Sequence, residues 1–193
     1  MNICVYGAAS NQIDDKYIKA TEEFGNYFAK RGHNLVFGAG GSGLMGAAAR
    51  GVKKGGGEIF GFIPEFFRQE NIEELFSECT KLTFTKDMAE RKANMEDKAD
   101  AFVIVPGGIG TFEEFFQVLT LKQLGRHTKP IAIFDIDGYY KPLIEFLDKA
   151  SQKRFIREAC KSLYFYSDNM KEIIEFLEND KHLKVNVHDV KIS

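Results

Sequence analysis

With 193 residues, 44% of them hydrophobic and 28% charged, the chain has the balance of one soluble globular domain large enough for a real core. A formal net charge of −2 offers no basic surplus for nucleic acid or an anionic membrane, and no apolar run approaches the ~18 residues that cross a bilayer. Three cysteines (Cys4, Cys79, Cys160) form no CxxC pair and cannot all pair with one another, which argues for a reducing compartment and against a zinc site.

The chain opens on a short apolar run without a basic leader, read as a strand rather than a signal peptide, so a cytoplasmic location is expected. Hydrophobic patterning predicts strands over residues 3–7, 34–38, 58–63, 81–85, 101–105, 131–134 and 162–166. Helices are expected over 14–30, 44–54, 86–99, 111–124, 139–150 and 170–178. Such alternation predicts an α/β fold with a parallel sheet covered on both faces by helices. The wholly apolar run Ala101-Phe102-Val103-Ile104-Val105 suits a central strand. No repeat or Ser/Pro linker divides the chain, so residues 1–180 read as one domain and 181–193 as a tail or small appendage.

In open parallel sheets ligands sit beyond the C-terminal ends of the strands. Nine of the 18 glycines fall between Gly38 and Gly57, and Gly107, Gly108 and Gly110 form a second cluster; each cluster begins where a predicted strand ends. The first loop, Gly38-Ala39-Gly40-Gly41-Ser42-Gly43, reads as G-x-G-x-x-G. Gly40 and Gly43 are candidates for backbone approach to a phosphate, or simply for a tight turn with close helix packing. A dinucleotide site needs this motif after the first strand and an acidic residue ending the next one, and only Glu65 could be forced into that role.

The second loop, Pro106-Gly107-Gly108-Ile109-Gly110-Thr111, is more specific. Pro106 ends a strand, the glycines free several N–H groups to converge on an anion, and Thr111 adds a hydroxyl at a helix start. Thr111-Phe112-Glu113-Glu114 is also a capping box, so Glu114 has a structural explanation beside a catalytic one. By periodicity Phe112, Phe115, Phe116 and Leu119 form a buried stripe, with Glu114 alongside Val118 and Leu121. On the helix over 86–99, Met88, Arg91, Lys92 and Met95 share one face expected to point inward, where a cation needs an anionic partner or must snorkel to solvent.

Together these residues resemble the LOG ("lonely guy") proteins, cytokinin-nucleotide phosphoribohydrolases long labelled lysine decarboxylases. The hallmark P-G-G-x-G-T-x-x-E matches residues 106–114 at every fixed position, and the arginine-lysine motif matches Met88-Ala89-Glu90-Arg91-Lys92-Ala93-Asn94-Met95. Gly43-Leu44-Met45-Gly46, Gln123-Leu124-Gly125, Lys129-Pro130 and Gly138-Tyr139-Tyr140 also fit. The resemblance implies a Rossmann-like homodimer that hydrolyses a nucleoside 5′-monophosphate, AMP or an N6-modified AMP, to free base and ribose 5-phosphate. It implies Arg91 and Glu114 as the catalytic pair, Gly107, Gly108, Gly110 and Thr111 on the phosphate, Lys92 and Met88 as substrate contacts, and neither metal nor cofactor. A carboxylate near the reacting carbon stabilises positive charge on the ribose or activates water, and a place in the first helical turn would keep Glu114 ionised. Lys92 and Lys98 lack any pyridoxal phosphate framework that a decarboxylase would need. Departures from the family pattern are Tyr6-Gly7-Ala8-Ala9-Ser10 in place of C-G-S-S, Ala39 for a loop glycine, Ala89 for a histidine and Leu121 for a tryptophan. A non-catalytic nucleotide or cofactor carrier and a dinucleotide oxidoreductase stand as alternatives.

Overall fold

A computed structural model describes residues 1–70, 74–182, 184 and 186–190. Seven parallel strands form one sheet in the order β4-β3-β2-β1-β5-β6-β7. They are β1 (Asn2–Tyr6), β2 (Asn34–Phe37), β3 (Ile59–Pro64), β4 (Lys81–Thr85), β5 (Ala101–Ile104), β6 (Ile131–Phe134) and β7 (Phe165–Ser167). The helices are α1 (Asp15–Lys30), α2 (Gly43–Gly55), α3 (Glu65–Gln69), α4 (Met88–Lys98), α5 (Ile109–Gln123), α6 (Lys141–Gln152), α7 (Met170–Asn179) and α8 (Val187–Val190). This is the three-layer α/β architecture that the alternation predicts.

Strand side chains alternate between two cores. Ile3, Val5, Leu35, Phe37, Val103 and Phe134 pack beneath α1, α2 and α7, together with Phe24, Phe28, Val52 and Ile174. Cys4, Tyr6, Val36, Phe102, Ile104 and Ile133 face the other way, onto Met95 of α4 and Phe115 and Val118 of α5. β5 is buried along its whole length and pairs with β1 and β6, an interior position consistent with its unbroken apolar run.

Three expectations need correction. The last strand begins at Phe165 rather than residue 162, because Glu158–Leu163 is a 3₁₀ helix that turns Cys160 and Leu163, three residues apart, into the core. α3 was not predicted: its five residues bury no side chain, so no periodic signal marks it. On α5 the buried stripe is Thr111, Phe115, Val118 and Lys122, while Phe116 is exposed. In the C-terminal segment, Val190 is buried against Cys160 and Leu163, and its carbonyl accepts from Gln123 Nε2 at 2.9 Å. Among the described residues no helix is long and apolar enough to cross a membrane.

Candidate active site

The chain lays down β1 to β4 outward on one side of β1, then returns to place β5 on the other side. The β1/β5 boundary is therefore the switch point, where the loops after adjacent strands diverge and leave a crevice. Those loops are stitched together by backbone: Ala8 N donates to the Pro106 carbonyl at 3.0 Å, and Leu44 N donates to the Ala8 carbonyl at 2.7 Å. Gly7 has no room for a side chain, since a Cβ there would run into Val105 Cγ2.

α5 starts at Ile109 with Gly108 as its cap residue, three residues earlier than a capping box with Thr111 as cap requires. The Thr111 side chain tucks against Gly107, filling the space a Cβ would occupy with its own Cβ 2.5 Å away. Thr111 is thus the third helical residue and buried, and Glu114 lies in the second turn, beyond the strongest part of the helix dipole. As the cap and first three residues of α5, Gly108, Ile109, Gly110 and Thr111 carry amides with no acceptor within the helix. Nothing lies within 4 Å of the Cβ positions of Gly108 and Gly110, so open space faces the loop.

Arg91 comes from the first turns of α4, whose N-terminus is fixed by Asp87 accepting from Glu90 N at 2.9 Å while Glu90 accepts from Lys86 N at 2.6 Å. Its side chain is buried, 6% exposed, and lies flat over Gly38 at the end of β2, where a Cβ would sit 2.8 Å from Cζ. Nη1 reaches Met88 Sδ at 3.6 Å, and Cζ stands 5.9 Å from the Phe67 ring centre. Nε is buried and has no hydrogen-bond partner among the described residues. A buried guanidinium with an unspent donor is costly unless an anion meets it.

Half-buried Glu114 approaches the same strand ends from α5. Burial first, then Cys4 and Glu114, pushes the Tyr6 hydroxyl well above its ordinary pKa. Burial likewise raises the Cys4 thiol, with the charges of Glu114 and Arg91 acting on it in opposite senses. Arg91 and Glu114 therefore both lie within electrostatic reach of β1.

The other candidates are differently placed. Lys92 forms an ion pair with Glu113, one rung of an α4–α5 ladder whose next rung is Glu96 with Gln117. Met88 is 38% exposed at the rim, so the methionine-arginine face is buried only at Arg91 and Met95. In the first loop the Gly43 amide donates to Asn11 Oδ1 at 2.8 Å, and Gly40 bridges to Leu75. Gly41 N donates to the Glu74 carbonyl at 2.7 Å. That loop spends its amides on packing, and Ala39 holds a φ of 64°, a region that costs an L-residue roughly 1–2 kcal/mol. Glu65, the acidic residue a dinucleotide site would need, pairs with Arg68.

Sequence reasoning missed Gly38 as the seat of Arg91, Asn11 as the cap of the first loop, and the collar formed by the segment after β6. In that collar Tyr139 Oη donates to the Gly107 carbonyl at 2.6 Å and Tyr140 Oη to the Val105 carbonyl at 2.9 Å. Only the Gly-Tyr-Tyr triplet was visible beforehand, with no indication of what it touched.

Residues 45–177 match a family model described as possible lysine decarboxylase. Over 95% of its length the chain is 38% identical to a probable cytokinin riboside 5′-monophosphate phosphoribohydrolase of Oryza sativa subsp. japonica, covering 75% of that protein. Over 91% it is 38% identical to a cytokinin riboside 5′-monophosphate phosphoribohydrolase of Arabidopsis thaliana, covering 80%. Among solved structures, the molybdenum cofactor carrier protein of Chlamydomonas reinhardtii matches with a TM-score of 0.70 at 20% identity, over 92% of this chain and 95% of that one. The molybdenum cofactor binding protein of Rippkaea orientalis matches with a TM-score of 0.66 at 18% identity, over 92% and 93%. At those identities the likeness to the carriers is one of fold.

Proposed function

This chain belongs to the family of the cytokinin riboside 5′-monophosphate phosphoribohydrolases, and on that premise we propose that it hydrolyses the N-glycosidic bond of AMP or an N6-modified AMP. The observation that carries this reading is the buried Arg91, its Nε unspent, at the same switch point as a helix start whose first amides have no acceptor within the helix. The amides from Gly108 to Thr111 suit the phosphate, and Arg91 suits phosphate or ribose oxygens by its planar fork of donors. As the bond from C1′ to the base nitrogen breaks, its electron pair leaves with the base, which takes up a proton. Glu114 stabilises the positive charge on the ribose or accepts a proton from the water whose oxygen joins C1′. The products are free base and ribose 5-phosphate.

Incubation of the purified protein with AMP and with isopentenyl-AMP tests the reading, with ribose 5-phosphate release expected. Absence of release from any nucleoside monophosphate would overturn it, and tight nucleotide binding without turnover would favour a carrier. The same reading includes a homodimer, supported by the exposed Phe116, Phe146 and Phe155, and is tested by light scattering. Free thiols at Cys4, Cys79 and Cys160 support a cytoplasmic setting.

A further inference from the structure

The peptide between Gly107 and Gly108 has no side chain on either flank to fix it, and such glycine pairs rotate readily about the flanking bonds. Here the Gly107 carbonyl is held by the Tyr139 hydroxyl at 2.6 Å. A trans peptide sets its carbonyl and the following N–H in opposite directions. Fixing the Gly107 carbonyl toward Tyr139 therefore aims the Gly108 N–H away from Tyr139. Thr111 closes the other side of Gly107, and open space remains at Gly108 and Gly110.

Tyr139 is itself well anchored. Asp137 and Gly138, with φ of 58° and 72°, turn the chain sharply after β6 and bring the ring round. The ring packs edge-on against Tyr17 at 6.1 Å and Tyr140 at 5.0 Å, while Asp137 pairs with Lys16 of α1. Next to it, Tyr140 N donates to buried Asp135 at 2.7 Å, and Asp135 also accepts from Tyr166. The turn that brings Tyr139 to the Gly107 carbonyl is thus tied to β7 through Asp135 and Tyr166 and to α1 through Asp137 and Lys16. This arrangement does more than the core requires, because Tyr139 is 41% exposed and its hydroxyl could equally face water.

We propose that Tyr139 is a positioning residue that locks the Gly107–Gly108 peptide with its N–H presented to a phosphate. The proposal rests on the reading that this loop holds the phosphate of the substrate. It identifies the monophosphate end, rather than the base, as what the collar after β6 serves.

The test is Tyr139→Phe, which keeps the ring and its packing and removes only the hydroxyl. Affinity for ribose 5-phosphate and for inorganic phosphate is measured by calorimetry, and KM and kcat on AMP are measured separately. Loss of one neutral hydrogen bond predicts about three- to tenfold weaker binding of both anions and a similar rise in KM, with kcat and the melting temperature nearly unchanged. A merely structural role would instead lower the melting temperature and leave the affinity of the folded fraction alone. Wild-type affinity for both anions in folded Tyr139→Phe overturns the lock, as does a wild-type protein that binds neither anion. Should the wild type bind ribose 5-phosphate yet fail to cleave AMP, the hydrolase reading falls and the affinity comparison still decides the lock.

Discussion

Replacing Gly38 by alanine separates the role of Arg91 from the stability of the fold. A Cβ at Gly38 would overlap Arg91 Nη2 outright and stand 2.8 Å from Cζ and 3.3 Å from Nε. Unbonded heavy atoms rest at about 3.5–4.0 Å, so the Nη2 end of the guanidinium must retreat by roughly 2 Å. The obstructing atoms are the far end of a flexible side chain, and Gly38 does not hold a positive φ, so the backbone can accept alanine. Alanine also restricts the unfolded chain, which offsets part of the cost at about 0.4–1 kcal/mol. The expected outcome is a melting temperature close to wild type, with kcat/KM on AMP reduced on the order of 100-fold or more, since even a misplacement of about 1 Å costs about that much. Steady-state release of ribose 5-phosphate, paired with a thermal melt, measures both. Full activity in Gly38→Ala would refute the placement of Arg91 in the reaction. Lost activity accompanied by a large drop in melting temperature would show that Gly38 serves folding instead.

The same substitution at Gly51 should behave in the opposite way. A Cβ there meets the backbone of α1, 2.1 Å from the Glu22 carbonyl oxygen and 2.9 Å from Asn26 N, neither of which can swing aside. Gly51→Ala is expected to destabilise by about 1–3 kcal/mol, read by denaturant unfolding, with kcat of the folded enzyme unchanged. Glu114→Gln should lower kcat by about 10²–10⁴-fold while leaving ribose 5-phosphate affinity within about twofold, and an unaltered kcat would remove Glu114 from the chemistry. Hydrogen bonds from Arg31 and then His33 hold the Glu178 carboxyl down at about 2. A depressed carboxyl contributes stability above its ordinary pKa and loses it as pH falls through the folded value. Wild type should therefore exceed Glu178→Gln by about 1 kcal/mol at neutral pH, with the gap closing between roughly pH 5 and pH 2. A gap independent of pH would show that the ion pair is not its source.

The sequence alone determined the layers and the neighbourhood of the site. Period-two and helical patterns are local, so the strand-helix alternation was legible, and glycine clusters after strands marked the rim. The spacing from Pro106 to Glu114 likewise points to the second loop. Local patterns could not place elements with too little burial to leave a period, such as α3, or distinguish the 3₁₀ turn at Cys160 and Leu163 from a strand. Nor could they show that α5 would start at Ile109, before Thr111, with the Thr111 side chain tucked against Gly107. Tertiary structure alone decided that the first loop spends its amides on packing. Asn11 and Glu74, from the loops after other strands, consume those of Gly43 and Gly41 in the first, while the first amides of α5 have no acceptor within their own helix. It alone laid Arg91 over Gly38, because α4 must cross back over the sheet to bring β5 beside β1. Partners 50 residues apart meet through topology, which no short-range pattern encodes.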